Sequence, residues 1–318
     1  MAALLAAWFW GWHFAAGELE KRVTELNSKL QDANQEWECT NQRIEGFPFR
    51  LGLFCDAIFY AGHTTGIAVE SAAMRSAAQF YQPNKAVIEF DSPALVTLPV
   101  GDSLNAEWES LRASIDANLE GPQKVSIHGR SMKFRAQNPA LESIGIPDFQ
   151  LHLRQNPENA IDAALSVKDF TVGENSQIGG NTGFSLSALV NAKDIYSDLL
   201  SRKNLLQLAR EKGLKGNINS FEFTPNEGGL LAVSGPLEIS PGGRISGQFD
   251  ISFIDLDKIV QSAGYFLPEF QPAVSGIAEA IKVVSAGNGG KKVSMRINAR
   301  NGKLYVGIVP IGTVPPLY

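Results

Sequence analysis

For most of its length the chain alternates apolar with polar residues. In KAVIEFDSPALVTL, Ala86, Ile88 and Phe90 share one face while Glu89 and Asp91 take the other. Val125 and Ile127 alternate with Ser126 and His128, and Phe149, Leu151 and Leu153 with Gln150, His152 and Arg154. The pattern returns late in the chain. Phe249, Ile251 and Phe253 alternate with Asp250 and Ser252, and Met295 and Ile297 with Ser294 and Arg296. A period of two is how an antiparallel strand with one buried face is written. Gly121–Pro122, Pro225–Asn226 and Pro241–Gly242–Gly243 supply turn chemistry between the runs, and Asn301–Gly302 reads as a two-residue hairpin. The expectation is a long antiparallel meander.

Helical spacing interrupts it. Residues 193–212 are amphipathic and stop at Gly213, and residues 255–286 read as a helical pair separated by Pro268 and Pro272. GNGG at 287–290 closes that stretch as a loop. Near the start, Leu19, Val23, Leu26, Leu30, Ala33 and Trp37 fall at alternating intervals of four and three. That predicts an amphipathic helix over 18–37 whose stripe lies on the sheet that follows. Fewer than three heptads are present, so a coiled coil is the minor reading.

Residues 1–17, MAALLAAWFWGWHFAAG, hold no Asp, Glu, Lys or Arg. A spanning helix needs roughly 17–20 apolar residues, so this block is marginal. Trp8, Trp10 and Trp12 suit a membrane interface. Three readings stand, an anchor, a cleaved signal and a buried N-terminal helix of a soluble protein; a helix running on through Gly17 favours the anchor, while Ala15 and Gly17 would suit a cut before Glu18. Lys21 and Arg22 follow the block with nothing basic before it, and the pattern predicts a start upstream of Met1 with a short basic leader.

Composition bounds the rest. Of 318 residues, 44% are apolar and 19% charged, enough for a sizeable core, in one extended sheet or in two lobes with a soft boundary near 189–195. A net charge of −5 without a basic stripe argues against nucleic-acid binding. The two cysteines, Cys39 and Cys55, flank two extended runs punctuated by Gly46 and Pro48. In an oxidising compartment they join across the corner; otherwise they are buried thiols acting as small apolar residues.

Catalytic signatures are missing. His13, His63, His128 and His152 are scattered without metal-ligand spacing, and neither GxSxG nor HExxH occurs. IGGNTG and GNGGKK fail the phosphate-loop templates. Asp255 and Asp257 read as helix-start carboxylates. The expectation is a non-enzyme with no cofactor and no metal.

Cys39-Thr-Asn-Gln-Arg-Ile-Glu-Gly-Phe-Pro-Phe-Arg-Leu-Gly-Leu-Phe-Cys55 resembles the C…RxxG[YF]PFR…C signature of an uncharacterised alphaproteobacterial envelope family, a domain of unknown function. The closing segment NGKLYVGIVPIGTVPPLY is similar to that family's terminal strand pair. More distantly the chain resembles AsmA-like envelope proteins, which pair an inner-membrane anchor with a long curved sheet and are implied in lipid movement or outer-membrane assembly.

These likenesses imply an α+β, mainly β fold. Residues 1–17 anchor it in the inner membrane as a single pass, 18–37 form a helix, and 38–318 form a periplasmic β-body. The body is a long curved antiparallel sheet, an open groove or half-barrel with a few covering helices. An apolar groove at Phe221, Phe223, Phe249, Ile251 and Phe253 is expected to bind or transfer phospholipid. The alternative is a structural or assembly module that meets another envelope protein. A hydrolase whose acids converge only in three dimensions is a third, minor reading.

Overall fold

A computed structural model describes residues 1–99, 101–118, 120–137, 143–173, 183–200, 205–284 and 292–318. With more than half of the described residues in strands, the fold is mainly β, and its antiparallel sheet does not close. The chain divides into two compact units, Met1–Phe149 with Val172–Gln177, and Gln150–Thr171 with Ile178–Tyr318. Residues 189–195, where a soft boundary was expected, hold the end of a strand and the approach to a short helix.

Unit 1 opens with α1 (Ala2–Asp32) and continues through β1 (Gln35–Thr40), β2 (Arg43–Glu45), β3 (Arg50–Cys55), β4 (Ala57–Gly62), β5 (Ile67–Ser71) and β6 (Met74–Gln79). After these come β7 (Gln82–Phe90), β8 (Ala94–Thr97), β9 (Ser103–Glu107), β10 (Ser110–Asn118) and β11 (Gly121–Ala136), while β12 (Ile144–Asn156) runs on into unit 2. Consecutive pairs make long broken rows. β1 pairs with β4 and β2 with β3, then β4 with β5 and β3 with β6, and so on to β9 and β10, which share the edge of β11.

The breaks line up across neighbouring rows. Asp56 N donates to Thr40 O (2.9 Å), Ala72 N to Pro93 O (3.1 Å), Asp91 N to Ala73 O (2.8 Å) and Glu109 N to Arg130 O (3.0 Å). Asn41 and Ser131, both at φ +51, sit on this line. An interrupted ladder with a residue in the left-handed region bends its strand and sharpens the twist. The meander is therefore creased. Cys39 and Cys55 meet at the crease in a disulfide with Cα atoms 5.2 Å apart. They are not opposed in a ladder: Cys39 faces Ile58 of β4, and Cys55 faces Met74 of β6.

The core of unit 1 holds Leu53, Cys55 and Met74, with Val23 of α1, Trp37, Ile88 and Phe90 packed against it. The helix does lay a stripe on the sheet, but not the one expected. It ends at Asp32, Trp37 belongs to β1, and Leu26 is exposed. Trp37 keeps its inward position because the strand that carries it returns under the helix. Gly52 is required where β3 passes β6, since a methyl group there would run into the Ser76 carbonyl.

Unit 2 comprises β13 (Ala160–Val172), β14 (Gly183–Lys193), α2 (Tyr196–Leu200), α3 (Leu205–Lys212), β15 (Leu214–Pro225), β16 (Leu230–Ile239) and β17 (Ile245–Ile254). It continues with α4 (Leu256–Phe266), a 3-10 turn (Pro268–Phe270), α5 (Gln271–Val284), β18 (Val293–Arg300), β19 (Lys303–Val306) and β20 (Val309–Thr313). From β13 to β20 each strand pairs antiparallel with the next. Asn301 (φ +56) and Gly302 (φ +86) form the expected hairpin, with Arg300 opposite Lys303. The helix expected over 193–212 is divided between α2 and α3, and Gly213 N closes α3 on Ala209 O. The segment 287–290 lies outside the described residues.

Candidate functional site

The five apolar positions expected to line a groove converge, but they do not form an open one. Phe249 and Phe253 are buried with Ile297, Ala299 and Ile311, and Ile259 of α4 and Ile281 of α5 close over them. Phe223, Ile251 and Leu231 pack against the same cluster, and Phe221 lies half-buried opposite Val233. Phe184 extends the aromatic contacts, its ring 5.3 Å from Phe223 and 4.8 Å from Phe266. This face of β17 is a core. Alternation reports that one face is covered, not what covers it.

His128 faces Asp148 at 3.3 Å, His63 lies 3.8 Å from Glu36, and His13 stacks edge-on to Phe9. Among the described residues no group of three His, Cys, Asp or Glu side chains is placed to hold a metal ion. IGGNTG lies outside the described residues except for Gly183, and GNGGKK except for Lys292. Asp255 does precede α4, but its side chain makes no cap bond and its backbone sits at φ +49. Asp257 instead pairs with Lys282 of α5 at 2.6 Å, and this bond and one to Glu279 push the Lys282 ammonium up to about 12.

Asp162 is held below the usual carboxylate range, first by the Arg154 guanidinium at 2.7 Å and then by the Asn191 amide. A depressed carboxylate contributes stability above its unfolded pKa near 4, and that contribution is lost as pH falls through the folded value. Asp162→Asn should therefore flatten the acid limb of a stability–pH profile below about pH 4. An unchanged limb would show that the pair contributes nothing.

The surface that stands out belongs to α1. Its inner side is fastened to the corner between Gly46 and Arg50. The Trp8 indole donates to Pro48 O (2.8 Å), and that of Trp12, only 6% exposed, donates to Arg50 O (2.7 Å). The Trp8 ring lies 5.0 Å from Phe80, and Phe47 sits 5.7 Å from both Trp12 and Phe9. Gly46, at φ +119, makes the turn that lets Arg50 N reach back to its carbonyl (2.8 Å).

The other side of the helix is bare. Trp10 (71% exposed) and Phe14 (77%) face outward; Leu4 and Leu5, on the stripe of Trp8 and Trp12, are exposed in the first turns, and Phe47, Phe49 (65%) and Tyr81 are exposed at the adjoining strand ends. Phe80 N donates to Phe49 O at 2.9 Å, tying the β6–β7 turn that carries Tyr81 to the corner. Exposed aromatic side chains in this number are a feature of contact surfaces. The helical register hides two of the tryptophans and leaves the third outside; composition alone showed only that all three were present. No helix among the described residues is long and apolar enough to cross a membrane.

Fold and surface together define a non-closing antiparallel β-protein with α1 packed on the strands of unit 1, α4 and α5 packed on those of unit 2, and exposed apolar side chains on its N-terminal helix. The chain belongs to DUF2125, a family described as an uncharacterized protein conserved in bacteria, whose model matches residues 12–315. No curated protein and no solved structure matches it.

Proposed function

We propose that this protein is seated on a bacterial inner membrane by the outward side of α1 and the Phe47–Phe49 corner, with its β-body in the periplasm, and that it serves as a non-catalytic lipid-contacting module in envelope maintenance. The observation that carries this reading is the exposed set Trp10, Phe14, Phe49 and Tyr81 around a helix whose opposite side is firmly docked. Transfer of each such side chain out of water contributes about 1.5–3 kcal/mol when complete. Indole and phenol groups suit the interface, where an apolar body meets a polar edge. The disulfide supports an oxidising compartment. The likeness of the Cys39–Cys55 segment to an alphaproteobacterial envelope signature, and the more distant likeness to AsmA-like proteins, agree with both.

Lipid contact is thereby assigned to α1 and its corner, because α4 and α5 already fill the space over β17. The purified full chain should co-float with phospholipid vesicles, and the double variant Trp10→Ser/Phe14→Ser should bind at least about tenfold more weakly with an unchanged melt, since roughly 1.4 kcal/mol of lost transfer is already tenfold. Wild-type chain left at the bottom of the gradient, or a double variant that floats equally well, would sink the proposal.

A second reading, an assembly module meeting another envelope protein, is supported by Ile308 and Val309, exposed at the turn that leads into β20.

A further inference from the structure

The ends of the unit 1 strands beside the aromatic corner also hold a cleft of about 480 Å³ on the face of the sheet turned away from α1. Alternation along β3 assigns the faces. Leu51, Leu53 and Cys55 are buried on the α1 side, so Arg50, directly after the corner, faces the other way. Arg50 stands opposite Gln79 in the register, and Asp116 stands opposite both Lys85 and Lys124. All five line the cleft, together with Ser114.

The charge balance there runs against that of the chain. Three cations meet one carboxylate in a protein whose net charge is −5. Asp116 is shared: Lys85 Nζ approaches it at 3.7 Å and the Asn84 amide at 3.3 Å. Among the described residues, neither Arg50 nor Lys124 has a carboxylate partner. A guanidinium and two ammonium groups around a concavity, with a hydroxyl and an amide beside them, match the oxygens of a phosphate, which accept several donors at once. The volume is within the range of small-ligand sites and has room for a phosphate with the glycerol attached to it. The backbone carbonyl of Arg50 receives the Trp12 indole, so the residue that faces the cleft also fixes the helix with the exposed aromatic side.

We propose that this cleft binds the phosphate of an anionic glycerophospholipid headgroup, a step that rests on the membrane-seated reading above. Phe49 and Tyr81 at the strand ends enter the interface, and the cleft, which begins at the adjoining Arg50 and Gln82, takes the headgroup. The shared chemistry is a phosphate ester, and a soluble glycerol phosphate is the other source.

The test uses the full chain with vesicles of phosphatidylcholine alone or mixed with phosphatidylglycerol, and separately with glycerol 3-phosphate in solution. Wild type should prefer the phosphatidylglycerol vesicles by at least about tenfold, a preference that added salt weakens. Lys85→Gln/Lys124→Gln should abolish the preference and leave binding to phosphatidylcholine unchanged. Trp10→Ser/Phe14→Ser should lower binding to both vesicles alike. Lys215→Gln/Lys303→Gln, which removes two ammonium groups from unit 2, should keep the preference.

If wild type shows no preference, or if both lysine pairs reduce it equally, the headgroup site is overturned and only diffuse charge remains. If wild type binds no vesicle at all, the membrane-seated reading has failed. Saturable glycerol 3-phosphate binding that Lys85→Gln/Lys124→Gln removes would then assign the cleft to a soluble phosphate ester and overturn the lipid source.

Discussion

Phe253→Ala is expected to lower stability by about 3–5 kcal/mol, the usual cost of emptying a buried phenyl site that cannot collapse. Phe253 is 5% exposed, with Leu231 and Val293 opposite it on β16 and β18 and Ile259 and Ile281 in the cluster above. Removing the ring leaves all of these facing a void, and strands held in register on both sides cannot close it. The midpoint of a urea titration followed by circular dichroism reads the loss. Ile308→Ala, at a side chain 94% exposed, should move the same midpoint by less than about 0.5 kcal/mol. If Phe253→Ala cost as little as the control, the ring would not be core, and an accessible groove at β17 would return.

The second large effect is at the crease. Cys39→Ala/Cys55→Ala should cost about 3 kcal/mol, since the bond closes a loop with a sequence separation of 16, and a loop of that size removes this much chain entropy from the unfolded state. Alanine is the better replacement because Cys55 is only 2% exposed, and a serine hydroxyl there would be buried without a partner. Wild type treated with a reductant should melt near the double variant, and the variant should be indifferent to the reductant. A wild-type melt that reductant leaves unmoved would mean that the disulfide adds nothing to the folded state.

Much of the architecture was legible in local pattern. Strands at Ala86–Phe90, Val125–Ile127, Phe249–Phe253 and Met295–Ile297 follow from period two, and Asn301–Gly302 announces its hairpin because both positions adopt positive φ. The helix stop at Gly213 is equally local. The errors came where the spacing of one element ran into the next. Trp37 continues the stripe of α1 in sequence, yet Asn34, at φ +58, turns the chain before it, and a helical wheel cannot register that turn. The crease was invisible for the same reason. Its line of breaks exists only across neighbouring rows, and Asn41, Asp56 and Ser131 say little in isolation.

The contact surface divides in the same way. Residues 1–17 declare themselves apolar without help from the fold, and the cysteines declare a possible pair. Which indole is buried, and which stands out, depends on the Gly46–Arg50 corner reaching α1 and offering the carbonyls of Pro48 and Arg50 to Trp8 and Trp12. The cleft is further from the sequence still. Arg50, Lys85 and Lys124 are separated by dozens of residues and belong to three strands whose register alone brings them together.

Local sequence, through backbone propensity and the period of its apolar positions, determined that this chain makes strands, where most of them turn, and that it begins with a helix too apolar to be ordinary surface. Those properties depend on neighbours within a few residues. Only the tertiary structure decided that the face around Phe249 and Phe253 is filled by α4 and α5, that Trp10 and Phe14 are left outside, and that three cations share one cleft. Each of these outcomes depends on which distant element arrives to cover a face, and no short stretch of sequence carries that information.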